Sequence, residues 1–235
     1  MRSATQARPG LTVASGVDRL TEVMDRLRSP GGCPWDAEQT HASLVRYAIE
    51  ETYEFADAVE SGSRAQMREE LGDVLLQVVF HARIAQESAE QPFDLDDVAN
   101  TCADKLIERH PHVFADAQGD VATEVTSANI TERWDDIKAR TQGRESVMDG
   151  VPPALPALAR AQKILGRATR ARLDVRDPAG IGIGQQLLAL VARAQAEGVD
   201  AETELREATR AYEAAAREAE ADVPSTTALG DGAIR

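Results

Sequence analysis

Two short acidic motifs lie within stretches whose apolar spacing predicts buried helix faces. The first is EETYE at positions 50–54, and the second is ELGD at positions 70–73. Around the first motif, apolar residues recur every three or four positions, and Glu51 falls on that stripe. The second motif leads into the segment 74–80, which is apolar nearly all round and predicts a buried helix. Because an unpaired carboxylate is costly to remove from water, these acids predict a bound cation, with Mg²⁺ or Mn²⁺ suited to hard oxygen ligands.

The same periodicity predicts an all-α protein. Only 4% of residues are aromatic, which favours helices over a β-sandwich or barrel. The first predicted helix starts near Ser15, and further helices are predicted over about 42–60, 64–87, 95–110, 125–140, 154–173 and 201–221. We expect residues 1–14 to form a flexible tail, 15–173 the catalytic domain, 174–221 a degenerate helical segment and 222–235 a disordered tail.

A three-residue turn, Ser-Gly-Ser at 61–63, joins the two helices that carry the acidic motifs. So short a connection predicts antiparallel neighbours. Glu51 and Glu54 are three residues apart on one helix, as are Glu70 and Asp73 on the other. The four carboxylates are therefore expected to converge across one seam and to chelate magnesium, which shares its coordination shell readily with substrate phosphates.

Two further pairs suit a phosphorylated, flat substrate. Lys105 and Arg109 are four residues apart on a predicted helix and would contact phosphate oxygens. Trp134 offers a flat surface for a base, and Lys138 lies one turn further on. Each pair also has a purely structural interpretation, as a complement to the helix dipole or as core packing.

Bulk properties exclude several classes of partner. The formal net charge of −14 disfavours nonspecific binding to nucleic acid or to anionic membranes. No apolar run approaches the ~20 residues of a membrane span, and the first ten residues lack the apolar core of a signal peptide. The two cysteines have no metal or redox spacing. These features predict a cytoplasmic protein with no membrane or nucleic-acid partner.

Pattern alone leads to a metal-binding helical bundle that handles phosphates. An acidic motif on a helix is more often a solvated face, and the second motif shifts the balance towards a metal site.

Several short sequence motifs, in the same order as in that family, resemble the MazG family of nucleoside triphosphate pyrophosphohydrolases. They are CPWD at 33–36, EQTH at 38–41, EExxE at 50–54, EELGD at 69–73, KLIERHPHVF at 105–114 and WDDIK at 134–138. The resemblance covers about residues 17–170 and implies an all-α helical bundle completed by dimerisation. It implies Mg²⁺-dependent hydrolysis of NTPs and dNTPs to the monophosphate and pyrophosphate, in the sanitation of nucleotide pools, with Mn²⁺ as a possible substitute.

Residue roles follow from this resemblance. The implied metal ligands are Glu51, Glu54, Glu70 and Asp73, and Glu50 is a further catalytic acid that could act as ligand, base or orienting group. The implied nucleotide-binding residues are Tyr47, Arg68, Lys105, Arg109, Trp134 and Lys138.

The chain departs from longer family members in its last third. Residues 185–191 repeat the apolar pattern of 73–79, but Gly182 and Gln185 stand where Glu70 and Asp73 would fall. One active site per chain is therefore expected. The alternatives are a narrow dUTP- or dCTP-type pyrophosphatase of the same superfamily, a non-catalytic nucleotide-binding regulator, and a purely structural bundle.

Overall fold

Helices account for all of the regular secondary structure in the described residues. The computed structural model describes residues 15–114, 145–175 and 181–221. Within them the helices are α1 Gly16–Arg28, α2 Pro34–Glu38, α3 His41–Glu60, α4 Arg64–Ala85, α5 Leu95–Arg109, α6 Pro111–Phe114, α7 Ala157–Arg170, α8 Ile183–Ala196 and α9 Ala201–Ala221. The all-α prediction is confirmed. None of the described helices is long and apolar enough to cross a bilayer.

Some sequence predictions concern residues outside the described ranges. These are the tails 1–14 and 222–235 and the helix predicted over 125–140, which includes Trp134 and Lys138. The chain divides into two compact units, Met1–Val121 and Ala122–Arg235. The domain limits predicted from sequence remain a prediction.

Side-chain caps fix where several helices of the first unit begin. At α1, Ser15 Oγ accepts a hydrogen bond from the Asp18 backbone N–H at 3.2 Å, and Asp18 Oδ2 accepts one from the Ser15 N–H at 3.0 Å. At α5, Asp94 and Asp97 form the same reciprocal pair. Such capping boxes satisfy backbone donors that have no partner inside the helix.

The first unit is built around the antiparallel pair α3 and α4. Gly62 adopts a φ of 73° in the turn between them, a left-handed conformation that glycine tolerates best. The shared core consists of Met24 from α1, Leu44 from α3, and Val79 and Phe80 from α4. The pairing of these two helices determines which of their side chains face each other.

Arg28 holds the segment around α2, a short helix that the sequence analysis did not predict. Its Nη1 donates to the Asp36 carbonyl at 2.6 Å and to the Gln39 carbonyl at 3.0 Å. Its Nε and Nη2 bind both carboxylate oxygens of Glu87 at 2.8 Å. The Arg28 side chain is only 7% exposed, so this clamp fixes α2 against the end of α4.

One expectation about α4 was wrong. The segment 74–80 was expected to be buried all round, but Leu75 is 36% exposed and Val78 is 40% exposed. Leu71, just before this segment, is 47% exposed. Only the side of α4 that includes Val79 and Phe80 is covered by α1 and α3. An apolar pattern shows which side chains are apolar, but it does not distinguish residues of an internal core from residues of an exposed apolar surface.

The second unit contains α7, α8 and α9, with Val191 of α8 in its interior. Gln162 of α7 joins α7 to the start of α9: its Nε2 donates to the Val199 carbonyl at 2.6 Å and its Oε1 accepts from the Ala201 N–H at 2.9 Å. Buried Arg167 donates to the carbonyls of Val147 and Asp149. This unit is therefore organised by polar contacts to backbone as well as by apolar packing.

Candidate metal centre

The acidic residues reach one another because α3 and α4 run side by side. On α3, Glu51 lies between Leu44 and Ala58, which are both buried. On α4, Glu70 and Asp73 are three residues apart and share one face. The helix pair therefore directs carboxylates from both elements into the same seam.

Three carboxylates form a tight cluster there. One oxygen each from Glu51, Glu70 and Asp73 lies within 4.8 Å of the other two, and all three residues are half-buried. Ligands on opposite sides of one Mg²⁺ ion are about 4.2 Å apart, because each Mg–O bond is about 2.1 Å long. The cluster thus fits a single divalent ion after small side-chain adjustments, and its all-oxygen donor set suits magnesium or manganese.

Electrostatics support the same interpretation. Burial raises the pKa of Glu51, and the negative charges of Asp73, Glu54, Glu70 and Glu50 raise it further. A bound cation would relieve this repulsion between like charges.

The pKa of Glu70 is raised in the same way. Loss of solvation is the largest cause, followed by the charges of Glu54, Asp73 and Glu69. Two carboxyl groups on different helices therefore bind their protons more tightly than an isolated carboxyl group does when no cation is present. This is the expected behaviour of ligands that are held together before the ion binds.

The other two predicted acids occupy different positions. Glu54 is exposed and is not a member of the three-residue cluster, although its charge acts on both Glu51 and Glu70. Glu50 is exposed and acts on Glu51 alone among these groups. The structure thus brings together three of the four predicted ligands and leaves Glu54 at the edge of the cluster.

The predicted phosphate contacts lie on α5, which packs against α4. Lys105 is exposed and Arg109 is half-buried. Within the described residues, neither forms an ion pair with the acidic cluster. Trp134 and Lys138 lie outside those residues, so their relation to the site stays a prediction.

Tyr47 belongs to an aromatic group one turn before Glu51 on α3. Its ring meets Trp35 edge-on at 5.9 Å between centroids, and Trp35 in turn meets Phe80 at 6.5 Å. The Arg46 guanidinium lies 4.5 Å from the Tyr47 ring centroid. The position of Tyr47 is therefore fixed on two sides, and Trp35 remains 48% exposed.

Arg68 lines an open hollow of about 470 Å³ at the start of α4. The other lining residues are Arg64, Ala65, Met67 and Leu71. Since the two arginines are four residues apart, the hollow combines positive charge with an apolar floor.

Gln77 was not among the site residues predicted from the sequence. It lies on α4, is 8% exposed, and follows Glu70 and Asp73 at spacings of seven and four residues. The pattern offered a signal, because Gln77 is a polar residue inside an otherwise apolar run on the acidic stripe.

Comparison with known proteins gives one consistent family. The family model for the MazG nucleotide pyrophosphohydrolase domain matches residues 39–114, which include α3, α4 and α5. The chain is 38% identical over 219 residues to the nucleoside triphosphate pyrophosphohydrolase/pyrophosphatase MazG of Thermotoga maritima, covering 83% of this chain and 82% of that protein. It is 46% identical over 162 residues to the nucleoside triphosphate pyrophosphohydrolase of Escherichia coli K12, covering 67% and 59% respectively.

A further relative is an uncharacterized 26.1 kDa protein in the blaB 3' region of Streptomyces cacaoi. It is 51% identical over 203 residues, covering 86% of this chain and 81% of that protein. The similarity to the Streptomyces cacaoi and Thermotoga maritima proteins thus extends beyond residues 39–114 and into the second unit. The chain belongs to the MazG family of nucleotide pyrophosphohydrolases.

Proposed function

We propose that the protein hydrolyses nucleoside and deoxynucleoside triphosphates to the monophosphate and pyrophosphate, with Mg²⁺ as cofactor and Mn²⁺ as a substitute. The observation that carries the proposal is the cluster of Glu51, Glu70 and Asp73 across α3 and α4 in a MazG-family chain. Relatives with 38% and 46% identity are named nucleoside triphosphate pyrophosphohydrolases. The biological role that fits is the removal of unwanted nucleotides from the pool.

The acidic residues of the site are assigned to the metal ion. Glu51, Glu70 and Asp73 hold the divalent ion, and Glu54, whose charge acts on both Glu51 and Glu70, is the fourth ligand. An ion in this position neutralises phosphate charge and lowers the pKa of water. Glu50 is the further catalytic acid, as ligand, base or orienting group, and its charge acts on Glu51.

The cationic residues bind the substrate. Lys105 and Arg109 contact the phosphates, where charge-assisted hydrogen bonds are strong. Trp134 and Lys138 hold the nucleoside end. Tyr47 and Arg68 border the nucleotide-binding site, each on a helix that also carries acidic ligands.

We also propose that two copies of the chain associate through α3 and α4. The residues that support this proposal are exposed, apolar and spaced three or four apart: Val45, Ile49 and Tyr53 on α3, and Leu71, Leu75 and Val78 on α4. Full burial of one such side chain contributes about 1.5–3 kcal/mol. Sedimentation equilibrium is expected to give a dimer, and Leu75→Glu is expected to shift it towards monomer.

The test of the activity is product analysis across all NTPs and dNTPs, together with an oxidised purine and an oxidised pyrimidine. With Mg²⁺, the expected products are the monophosphate and pyrophosphate, and Glu54→Ala or Asp73→Ala is expected to abolish them. Glu90→Ala, in an exposed loop, is the control. Orthophosphate as the first product, or full activity in both variants, would contradict the proposal.

The same panel separates the alternatives. Turnover confined to dUTP or dCTP would favour a narrow pyrophosphatase of the same superfamily. Tight, metal-dependent nucleotide binding without any product would favour a regulator.

A further inference from the structure

Gln77 of α4 carries a buried polar atom that has no hydrogen-bond partner. The residue is 8% exposed, and its Oε1 is enclosed without a donor in reach. Buried amide oxygens are almost always hydrogen-bonded, so an unpaired one calls for a missing partner such as water. Val79 and Phe80, two and three residues further along α4, are buried and apolar.

Helix geometry places this amide beside the acidic cluster. Gln77 follows Glu70 by seven residues and Asp73 by four, so the three share one face of α4. Long side chains on a helix lean towards its N-terminus and cover the preceding turn. In this usual conformation, a side chain at Gln77 covers the turn that carries Asp73.

The second unit provides an internal comparison. At a constant offset of 112 residues, Glu70 and Asp73 correspond to Gly182 and Gln185, and Gln77 corresponds to Ala189. Buried Val79 corresponds to Val191, which is also buried. The core position is a valine in both units, whereas Ala189 stands in place of Gln77 where the acids are absent.

We propose that Gln77 is a positioning residue of the metal centre: its Oε1 accepts a hydrogen bond from water held among Glu51, Glu70 and Asp73. The inference rests on the proposed metal-dependent function and adds a group to its site. Groups that orient the surroundings of a metal in this way tune its affinity without touching it.

The test is titration calorimetry with Mn²⁺ alone, without nucleotide, on the full chain. Gln77→Met keeps the length of the side chain and removes its acceptor, and is expected to weaken Mn²⁺ binding about tenfold. Gln77→Glu keeps an acceptor oxygen and adds a negative charge, so it is expected to bind Mn²⁺ at least as tightly as the unsubstituted protein. Gln66→Met, the same change at an exposed position of α4, is the control and is expected to leave the affinity unchanged.

A second measurement separates positioning from a structural role. Metal-free thermal denaturation of Gln77→Met is expected to show an unchanged or higher midpoint, because an unpaired polar atom has been replaced by an apolar one. A lower midpoint with unchanged Mn²⁺ affinity would overturn the proposal, since Gln77 would then serve the fold alone. Equal loss of affinity in Gln77→Met and Gln66→Met would also overturn it.

The outcome is distinguishable from failure of the proposed function. Suppose that Mn²⁺ binds, that Gln77→Met weakens Mn²⁺ binding, and that the unsubstituted protein produces no pyrophosphate. The inference about Gln77 then stands, and the proposed activity fails. If pyrophosphate is produced and Gln77→Met binds Mn²⁺ normally, the activity stands and the inference fails.

Discussion

Helices α4 and α8 share an apolar run but differ in what precedes it. In α4 the run directly follows Asp73, which lies nine residues after the helix starts at Arg64. In α8 the corresponding residue is Gln185, and the helix starts only two residues earlier at Ile183. Gln185 Oε1 accepts a hydrogen bond from the Gly182 N–H at 3.0 Å, so it stabilises the helix end.

This difference explains how one pattern can serve two purposes. The buried valines, Val79 and Val191, fill the interior of their own units in the same way. The additional N-terminal turns of α4 carry Glu70 and Asp73 alongside α3, where Glu51 can meet them. An acidic site therefore requires the extended helix pair, and the apolar run alone does not produce it.

The largest expected effect comes from the charge at the two corresponding positions. Asp73→Asn removes a predicted ligand at nearly constant shape, and we expect pyrophosphate release to fall about 10³-fold, since charge stabilisation by the ion is worth several kcal/mol. Gln185→Asn in α8 is the matched variant, and its rate is expected to stay unchanged. Steady-state rates of pyrophosphate release with saturating Mg²⁺ measure the effect of each substitution. Equal losses in Asp73→Asn and Gln185→Asn would contradict a functional difference between α4 and α8.

The next effect concerns how each unit uses its arginines. Arg28→Ala leaves Glu87 without its bidentate partner and frees two carbonyls, so we expect a loss of about 2–3 kcal/mol in unfolding free energy. The ion pair of Arg193 with Glu197 on α8 is long at 3.9 Å, and the Arg193 side chain is 70% exposed. Arg193→Ala is expected to cost less than about 0.5 kcal/mol. Denaturant unfolding of both variants checks this, and similar losses would contradict it.

The smallest effect is a pH dependence confined to the first unit. His41 Nδ1 and His81 Nδ1 are 2.8 Å apart with their rings stacked. Burial lowers the pKa of His81 from its usual 6.5, and the charge of His41 lowers it further. Between pH 6.5 and the lowered folded pKa the unfolded chain binds more protons, so stability is full above pH 6.5 and falls as the pH drops through this window.

Thermal denaturation between pH 7.5 and 5.5 with saturating Mg²⁺ measures this dependence, because the raised pKa values of Glu51 and Glu70 give the opposite trend in the metal-free protein. The arginine contacts lower the pKa of Glu87, so its stabilisation is lost only below its usual value of 4.5 and stays outside that range. The fall in midpoint is expected to flatten in His81→Asn. The four histidines all precede residue 113, so unfolding of the second unit should show no such change. A steeper pH dependence in His81→Asn would contradict the assignment.

Much of the fold follows from local chemistry. The predicted limits of α3, α4 and α9 agree with the structure within two residues, because apolar spacing and turn residues act over a few positions. The meeting of Glu51 with Glu70 and Asp73 follows from two such helices joined by a short turn.

Other features depend on contacts distant in sequence. Arg28 and Glu87 are 59 residues apart, and nothing near either residue indicates the pair. The departure of Glu54 from the cluster depends on side-chain conformation, which spacing does not encode. The open face of α4 was missed because periodicity reports apolar character without naming the surface that covers it.

The central claim is that the carboxylates of α3 and α4 are held together to bind a cation. Thermal denaturation of the full chain with and without Mg²⁺ tests it directly. Repulsion among these groups lowers metal-free stability, so metal-free Asp73→Asn is expected to melt above the unsubstituted protein. Added Mg²⁺ is expected to raise the midpoint of the unsubstituted protein and to leave Asp73→Asn unchanged, because a ligand stabilises the state that binds it. An unsubstituted protein whose midpoint does not respond to Mg²⁺, or an Asp73→Asn variant that responds equally, would contradict the account.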